Sequence, residues 1–262
     1  MTTAPLELFT LQEGHGVPLL LLHGFPLDHR MWSDVVAHLP SGTTVLAVDL
    51  PGAGASPLGG EPASLEASAD AVATTVRAAG VHRAVVAGLS MGGYVALALA
   101  ERHPELVTGL GLVDTKSTAD TDEARANRLR IAARVDSDQT VDAVLGMPGV
   151  LLGETSKHER GGLTARLEEW IRVQRPGGVA WSQRAMAARP DRTAVLTGFT
   201  GPVAVVVGEE DALTPPAEAE HMAAAAGTVV VQVPGSGHMS AIEAPADVAA
   251  ALADLHDRVR AA

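Results

Sequence analysis

The 262-residue sequence contains no cysteine, which excludes disulfide bonds, thiolate metal sites and cysteine nucleophiles. Aromatic residues make up only 3% of the chain. Basic residues are outnumbered, with 19 Lys and Arg against 31 Asp and Glu, and the net charge is −12. Nucleic-acid binding needs a basic face, so this acidic balance argues against a nucleic-acid partner.

Long apolar runs are also absent. The run Leu19–Leu22 is far too short for a membrane span or for the h-region of a signal peptide, and Met1–Pro5 carries no basic residue. We therefore expect no membrane partner and a cytoplasmic location. With 47% hydrophobic residues, the chain can bury the core of one large globular domain. No pattern in the sequence indicates an oligomeric state.

Short apolar runs alternate with helical patterns along most of the chain. Such runs are typical of strands covered on both faces, and their alternation with helices predicts βαβ units. We expect an α/β fold, with a mostly parallel central sheet flanked by helices, and a further edge strand at Leu6–Leu11. The predicted buried strands are Val17–Leu22, Thr43–Val48, Ala84–Ala87, Leu110–Val113, Val203–Val207 and Thr228–Val233.

Strand-like runs largely disappear between residues 116 and 197, where charged helical patterns replace them. We predict one domain whose core comprises residues 1–115 and 198–262, with residues 116–197 inserted as a helical cap. Asp120 and Glu123 resemble a capping box at the start of the first cap helix. These arginines follow on that helix: Arg125, Arg128, Arg130 and Arg134. They could bind a carboxylate substrate, but a solvated helix face is the favoured interpretation.

Four large side chains in the predicted cap allow two interpretations. They could line the floor of a substrate pocket, or they could hold the cap against the core, and the sequence favours neither. The four residues are Met147, Trp170, Trp181 and Met186.

The pentapeptide Gly88–Gly92 matches the pattern G-x-S-x-G. It follows the predicted strand Ala84–Ala87 and precedes the apolar helical run Gly93–Ala100. Glycines on both sides of Ser90 suit a tight turn between a strand and a helix that pack closely. In such a turn the serine hydroxyl stands clear of the backbone, which identifies Ser90 as the candidate nucleophile.

A serine nucleophile needs a base within hydrogen-bond reach, and the base needs an orienting acid. His238 is the candidate base, because it alone of the ten histidines lies in a glycine-flanked loop between the last predicted strand and the last predicted helix. Asp211 follows a predicted strand and is the favoured acid. Asp114 follows another strand and is the alternative. Thr214 is expected to cap the next helix, with Pro215 in its first turn.

Together these motifs resemble those of the α/β-hydrolase superfamily, most of all its small capped esterase, enol-lactonase and carbon–carbon hydrolase branch. The order serine, acid, histidine along the chain is that of the superfamily. The resemblance implies an oxyanion hole formed by the backbone N–H groups of Phe25 and Met91. The motifs span nearly the whole chain outside the predicted cap: His23–Pro26, Asp49–Ser56, Gly88–Gly93, Gly208–Pro215 and Gly235–His238.

We therefore expect a serine hydrolase that cleaves a small carboxylic ester or lactone through an acyl-enzyme. A carbon–carbon bond hydrolase and a cofactor-free perhydrolase are alternatives on the same triad, and a ligand-binding homologue with low turnover is an alternative of another class. No metal site is expected, because no two histidines have ligand spacing on one helix. No cofactor is expected either, because Pro57 stands where the loop Gly52–Ser56 would need the third glycine of a dinucleotide fingerprint.

Overall fold

The computed structural model describes residues 5–261, and within them one sheet of seven strands forms the centre of the molecule. The strands are β1 (Leu8–Gln12), β2 (Gly14–Leu22), β3 (Gly42–Val48), β4 (Ala84–Leu89), β5 (Val107–Val113), β6 (Val203–Gly208) and β7 (Val230–Val233). Their order across the sheet is β1-β3-β2-β4-β5-β6-β7. β1 runs antiparallel to β3, and the other neighbouring pairs are parallel. The predicted α/β fold is confirmed.

Helices cover the sheet and connect its strands, and a 3-10 turn at His29–Trp32 precedes the first of them. Within residues 5–261 they are α1 (Ser33–Val36), α2 (Leu65–Ala78), α3 (Met91–Arg102), α4 (Asp122–Asp138), α5 (Asp142–Leu145), α6 (Pro148–Leu151), α7 (Glu154–Glu159), α8 (Gly162–Arg172), α9 (Pro176–Ala187), α10 (Thr193–Gly198), α11 (Pro216–Ala226), α12 (Ser240–Glu243) and α13 (Pro245–Ala261). α3 packs against β2, β4 and β5, and α13 packs against β4 to β7.

The centre of the sheet explains why its strands are apolar throughout. Leu19–Leu22 of β2 are fully buried and lie between β3 and β4. Both faces of such a strand are covered, so no polar alternation is needed. The edge strand β1 begins later than predicted, because the amide of Leu6 donates to Thr75 Oγ1 at 2.9 Å and that of Glu7 donates to Ser56 Oγ at 2.8 Å.

Helices α4 to α10 lie between β5 and β6, in the interval where the sequence predicts a cap, and we call residues 116–197 the cap segment. Several of its side chains bond to residues outside the segment. The Trp181 indole donates to the carbonyl of Gly60 at 2.9 Å, and the Gln174 amide donates to Asp28 Oδ2 at 2.8 Å. Arg192 forms ion pairs with glutamates on α2 and α3. These contacts join the cap segment to loops and helices that follow the strands.

The first cap helix begins differently from the prediction. Thr121 caps α4, and its Oγ1 accepts a hydrogen bond from the amide of Ala124 at 3.2 Å. Asp120 is not the cap, because its buried carboxylate forms ion pairs with Arg128 and Arg189. Charge pairing in the interior therefore determines the position of this aspartate.

In the part of the chain that the structure describes, no helix combines the length and the apolar character needed to cross a membrane.

Candidate active site

Ser90 lies in the turn between β4 and α3, with backbone angles φ 52° and ψ −112°. A non-glycine residue at positive φ is strained, and such strain is typical of functional turns. Neighbouring glycines permit the turn. A Cβ on Gly88 would lie 2.2 Å from the backbone of Gly92, and a Cβ on Gly92 would lie 2.1 Å from the carbonyl oxygen of Leu22. The motif therefore builds the tight strand-to-helix turn that the sequence predicts.

The structure brings Ser90, His238 and Asp211 into one hydrogen-bonded chain. His238 Nε2 is 2.9 Å from Ser90 Oγ, and His238 Nδ1 is 2.8 Å from Asp211 Oδ2. The imidazole and the carboxylate are both buried. With its Nδ1–H donating to the carboxylate, His238 presents Nε2 as an acceptor to the serine hydroxyl. This is the geometry of a serine nucleophile with its base and its orienting acid.

Asp211 is held by three further hydrogen bonds. Its Oδ1 accepts from the amides of Leu213 and Thr214 at 2.8 and 2.9 Å, and its Oδ2 accepts from Thr214 Oγ1 at 2.7 Å. The prediction that Thr214 caps the next helix is therefore wrong: Thr214 binds Asp211, and α11 begins at Pro216 with Pro215 as its cap. The sequence does not reveal this contact, because a threonine in the loop after a strand can either cap the next helix or bond to a nearby carboxylate.

The environment moves the pKa values of this pair apart. Burial alone would raise the pKa of Asp211, but hydrogen bonding and charge from His238, with the Thr214 bonds, outweigh it and hold the pKa below its ordinary value. Burial alone would lower the pKa of His238, but the hydrogen bond and charge of Asp211 outweigh it and raise the pKa above 6.5. A stable Asp211 carboxylate that favours a protonated imidazole suits an acid–base pair.

Asp114 lies close to this pair but bonds elsewhere. Its Oδ1 accepts from the amide of Gly208 at 2.9 Å, and its Oδ2 accepts from the amide and hydroxyl of Ser240 at 2.9 and 2.5 Å. Burial and the neighbouring Asp211 charge raise the pKa of Asp114 to about 8. Among the described residues, Asp211 and not Asp114 is hydrogen-bonded to His238.

The backbone N–H groups of Phe25 and Met91 donate to no other group within residues 5–261. Both residues line a small cavity beside the Ser90 turn, together with His23. His23 is fully buried, which lowers its pKa, and its Nε2 accepts from the amide of Leu50 at 2.9 Å. His23 therefore braces the loop that carries Phe25. Two unengaged amides near a serine are suited to an oxyanion.

A larger cavity of about 370 Å³ opens beside Ser90 and His238. Met147 and Met186 line it, as one of the two sequence interpretations expects. Trp170 and Trp181 do not line it, which corrects that interpretation for these two residues. Trp181 is buried against the core through its bond to Gly60, and Trp170 packs under the guanidinium groups of Arg30 and Arg166.

Charged side chains that the sequence did not assign to the site also line this cavity. Lys116, Asp120 and Arg128 face the space that Ser90 faces. The expectation of a solvated arginine face holds for Arg125, Arg130 and Arg134, which are exposed, but it is wrong for Arg128.

Glu243 fixes the loop that carries His238. Its buried carboxylate accepts hydrogen bonds from the amides of Gly153, Gly237 and Met239, all between 2.9 and 3.0 Å. In addition, the amide of His238 donates to the carbonyl of Leu151 in the cap segment at 2.9 Å. Glu243 therefore ties the loop of residues 234–239, which we call the His238 loop, to the cap segment. Its position inside the short helix α12 gives no sequence signal for this role.

One cluster in the described chain has the spacing of metal ligands: Asp28, His29 and Asp49. Its atoms already have protein partners, since Asp49 Oδ1 accepts from the amide and Nδ1 of His29, and Asp28 is paired with Arg30. We assign no metal to it.

A model of the alpha/beta hydrolase family matches residues 19–251 of the chain. The chain is 31% identical to pimeloyl-(acyl-carrier protein) methyl ester esterase of Chromobacterium violaceum over 258 residues, which cover 95% of this chain and 98% of that protein. A thermophilic esterase from Thermogutta terrifontis, solved with bound malate, is similar in structure with a TM-score of 0.91. It is 36% identical, and the match covers 97% of this chain and 94% of that one.

The enol-lactonase from Burkholderia xenovorans LB400 is also similar in structure, with a TM-score of 0.83 at 25% identity. The match covers 96% of this chain and 97% of that one. The similarity therefore extends over the cap segment as well as the sheet.

Proposed function

Because the chain belongs to the alpha/beta hydrolase family, we propose that it hydrolyses a carboxylic ester or lactone, with Ser90 as nucleophile, His238 as base and Asp211 as acid. The observation that carries this proposal is the chain of contacts at the cavity, 2.9 Å from Ser90 Oγ to His238 Nε2 and 2.8 Å from His238 Nδ1 to Asp211. The similarity to proteins named as esterases and as an enol-lactonase supports a hydrolase that acts on ester bonds.

In the first half of the reaction, Ser90 Oγ forms a bond to the ester carbonyl carbon while its proton moves to His238 Nε2. The bond from carbon to the alcohol oxygen then breaks, and the alcohol leaves with that proton. Asp211 keeps the imidazole oriented and stabilises the positive charge that it carries between these two steps. An acyl-enzyme on Ser90 remains.

In the second half, a water molecule attacks the acyl carbon and gives a proton to His238. The bond to Ser90 Oγ breaks, the proton returns to that oxygen, and the carboxylic acid is released. With a lactone, the acid and the alcohol stay in one molecule. Water and the ester are the only reactants that this scheme needs.

The negative charge that develops on the carbonyl oxygen in both halves needs hydrogen-bond donors. The N–H groups of Phe25 and Met91 supply them in this proposal, since neither has an acceptor within residues 5–261 and both residues line the small cavity beside the Ser90 turn. Loss of one such donor typically costs about 3–4 kcal/mol of transition-state stabilisation.

The partner in this proposal is a small molecule. A place in the cytoplasm and the absence of a cofactor stay predictions from composition and motifs, and an oligomeric state is not assigned.

A substrate panel tests the proposal: short and long p-nitrophenyl esters, lactones and vinylogous diketones, each with the wild type and with Ser90→Ala. We expect ester or lactone turnover that falls by about a thousandfold or more in the variant. Cleavage of the diketone without ester turnover would replace the proposal with carbon–carbon hydrolysis. Failure of the whole panel would favour a ligand-binding homologue.

A further inference from the structure

Positive charge is concentrated at the cavity of Ser90, although the chain as a whole carries a net charge of −12. Lys116 and Arg128 line the cavity directly. The guanidinium of Arg189 lies 4.0 Å above the ring of Tyr94, which lines the cavity too. Two cations therefore line a space that holds one carboxylate, Asp120, and a third cation lies behind Tyr94.

Asp120 leaves part of this positive charge without a hydrogen-bond partner. Its carboxylate accepts from Arg128 Nε at 2.7 Å and pairs with Arg189 Nη2 at 2.9 Å, whereas Lys116 Nζ is 3.9 Å away. Within residues 5–261, neither Lys116 Nζ nor Arg128 Nη2 donates a hydrogen bond. Glu218 also acts on Lys116 through its charge, but it forms no ion pair with it among the described residues. Around Lys116, three cations (Lys116 itself, Arg128 and Arg189) therefore stand against two carboxylates, those of Asp120 and Glu218.

The charged side chains of the cavity are mostly buried, and this strengthens the effect of the excess positive charge. The side chains of Lys116, Arg128 and Asp120 are 17%, 22% and 4% exposed. Charges that are mostly removed from water interact more strongly than charges on the surface. Burial and the positive charge of Arg189 lower the pKa of Lys116, as expected where cations lie together. An anionic group that entered the cavity would relieve this repulsion.

The free cationic groups lie near the nucleophile. Thr115 Oγ1 donates to the carbonyl oxygen of Ser90 at 2.8 Å, and Lys116 is the next residue. Tyr94 lies one helical turn after Ser90, and its amide donates to the Ser90 carbonyl. Arg189 stacks on that ring. Because Ser90, Lys116 and Arg128 line the same cavity, a small molecule with its carbonyl at Ser90 can place a second group at the two cations.

We infer that the substrate is an ester or lactone with a free carboxylate a few methylene groups from the scissile bond, and that Lys116 and Arg128 bind this carboxylate. This inference rests on the proposed function of Ser90. Asp120 holds the Arg128 guanidinium through Nε, and Nη2 remains to donate a charge-assisted hydrogen bond to the ligand carboxylate. Lys116 adds a second positive charge.

A matched pair of esters tests the inference: monomethyl glutarate, which is anionic at neutral pH, and methyl glutaramate, its neutral amide of nearly the same shape. The wild type should favour the anionic ester in kcat/KM by about tenfold or more, the size expected for charge-assisted hydrogen bonds. Arg128→Met and Lys116→Met should each remove most of this preference, measured as the ratio of kcat/KM for the two esters. Equal ratios in the wild type and both variants would overturn the inference.

The control is Arg125→Met, which removes the same charge from the exposed side of α4 and should leave the ratio unchanged. Arg128→Lys keeps the charge but not the guanidinium, and it should retain part of the preference if Arg128→Met proves unstable. A ratio that falls equally in Arg125→Met would also contradict the inference, because the effect would then reflect net charge alone.

Binding of glutarate to Ser90→Ala, measured by calorimetry, separates the two proposals. We expect binding that weakens about tenfold or more when Arg128→Met is added. If neither ester is hydrolysed but glutarate still binds through Arg128, ester hydrolysis is refuted and the carboxylate site stands. If both esters are hydrolysed but glutarate does not bind, the carboxylate site is refuted and ester hydrolysis stands.

Discussion

Asp114 and Asp211 follow adjacent strands of the sheet, and their surroundings give them opposite properties. Asp211 is hydrogen-bonded to His238, and its pKa is held below the ordinary value. Asp114 bonds to Gly208 and Ser240, and its pKa is raised to about 8. An aspartate after a strand can therefore be a carboxylate beside His238 or a link between loops, according to its neighbours.

Substitution of the two aspartates distinguishes them. Asp211→Asn should lower kcat/KM by about a thousandfold or more, because the amide no longer holds the imidazole with Nε2 as acceptor. Asp114→Asn should lower it by less than about tenfold, because Asp114 makes no hydrogen bond to His238 in the described chain. Ester kinetics with both variants check this. A larger loss in Asp114→Asn would assign the acid to Asp114.

The pKa of His238 predicts the acid limb of activity. His238 must be neutral to accept the Ser90 proton, and its pKa is raised above 6.5. Activity should therefore be high above the raised pKa and should fall as the pH decreases through it. A profile of kcat/KM against pH measures the midpoint for the free enzyme. A midpoint at or below 6.5 would contradict the ion pair with Asp211.

At the scale of elements, the His238 loop and the cap segment form one unit. Glu243 accepts hydrogen bonds from both, and backbone contacts leave no room between them. A Cβ on Gly237 would lie 2.2 Å from the amide of Gly153, and a Cβ on Gly208 would lie 2.1 Å from the carbonyl of Gly237. Small residues at these positions let the cap segment support the loop that positions His238.

Glu243→Gln tests this support. Glutamine keeps the shape but brings an NH2 group toward amides that also donate, so we expect a loss of about 2–4 kcal/mol in the free energy of unfolding. The negative charge of Glu243 also helps to raise the pKa of His238, so the acid limb should move to lower pH. Denaturation and the pH profile measure the two effects.

Glu209→Gln is the matched control, since exposed Glu209 accepts one hydrogen bond in the part of the chain that the structure describes, from the amide of Gly235. It should change stability by less than about 0.5 kcal/mol. Equal effects of the two substitutions would contradict the role assigned to Glu243.

The elements differ in how far the sequence predicts them. The central strands and the Ser90 turn are predictable, because continuous apolar runs and glycine spacing encode them locally. The cap segment is less so. Thr121 rather than Asp120 caps α4, and Arg128 lines the cavity while the other arginines of the helix are exposed. Trp181 faces the core because of a carbonyl at Gly60, far away in sequence. Such choices depend on long-range partners, which periodicity does not reveal.

At the scale of the molecule, the cap segment is joined to the core at several separate points. Arg192 pairs with Glu66 and Glu101, Gln174 bonds to Asp28, and His238 bonds to the backbone of Leu151. A Cβ on Gly178 would lie 2.0 Å from the carbonyl of Gly52, so the backbones themselves are in contact. We therefore expect the cap segment and the core to unfold together.

Tryptophan positions allow a direct test, because Trp32 lies in the core while the other two tryptophans lie in the cap segment. In Trp32→Phe, urea unfolding followed by fluorescence reports on the cap segment alone, whereas far-UV circular dichroism reports on all elements. The two transitions should coincide, as in a cooperative unit. An earlier fluorescence transition would show that the cap segment opens independently.

The central claim is that Ser90 is an activated nucleophile, and labelling with a fluorophosphonate probe tests it most directly. The probe reacts with an activated serine at the rate set by its base and oxyanion donors. Mass spectrometry should find one added phosphonyl group on the peptide that contains Ser90, and none in Ser90→Ala. No labelling of the native protein, or labelling that persists in Ser90→Ala, would contradict the claim.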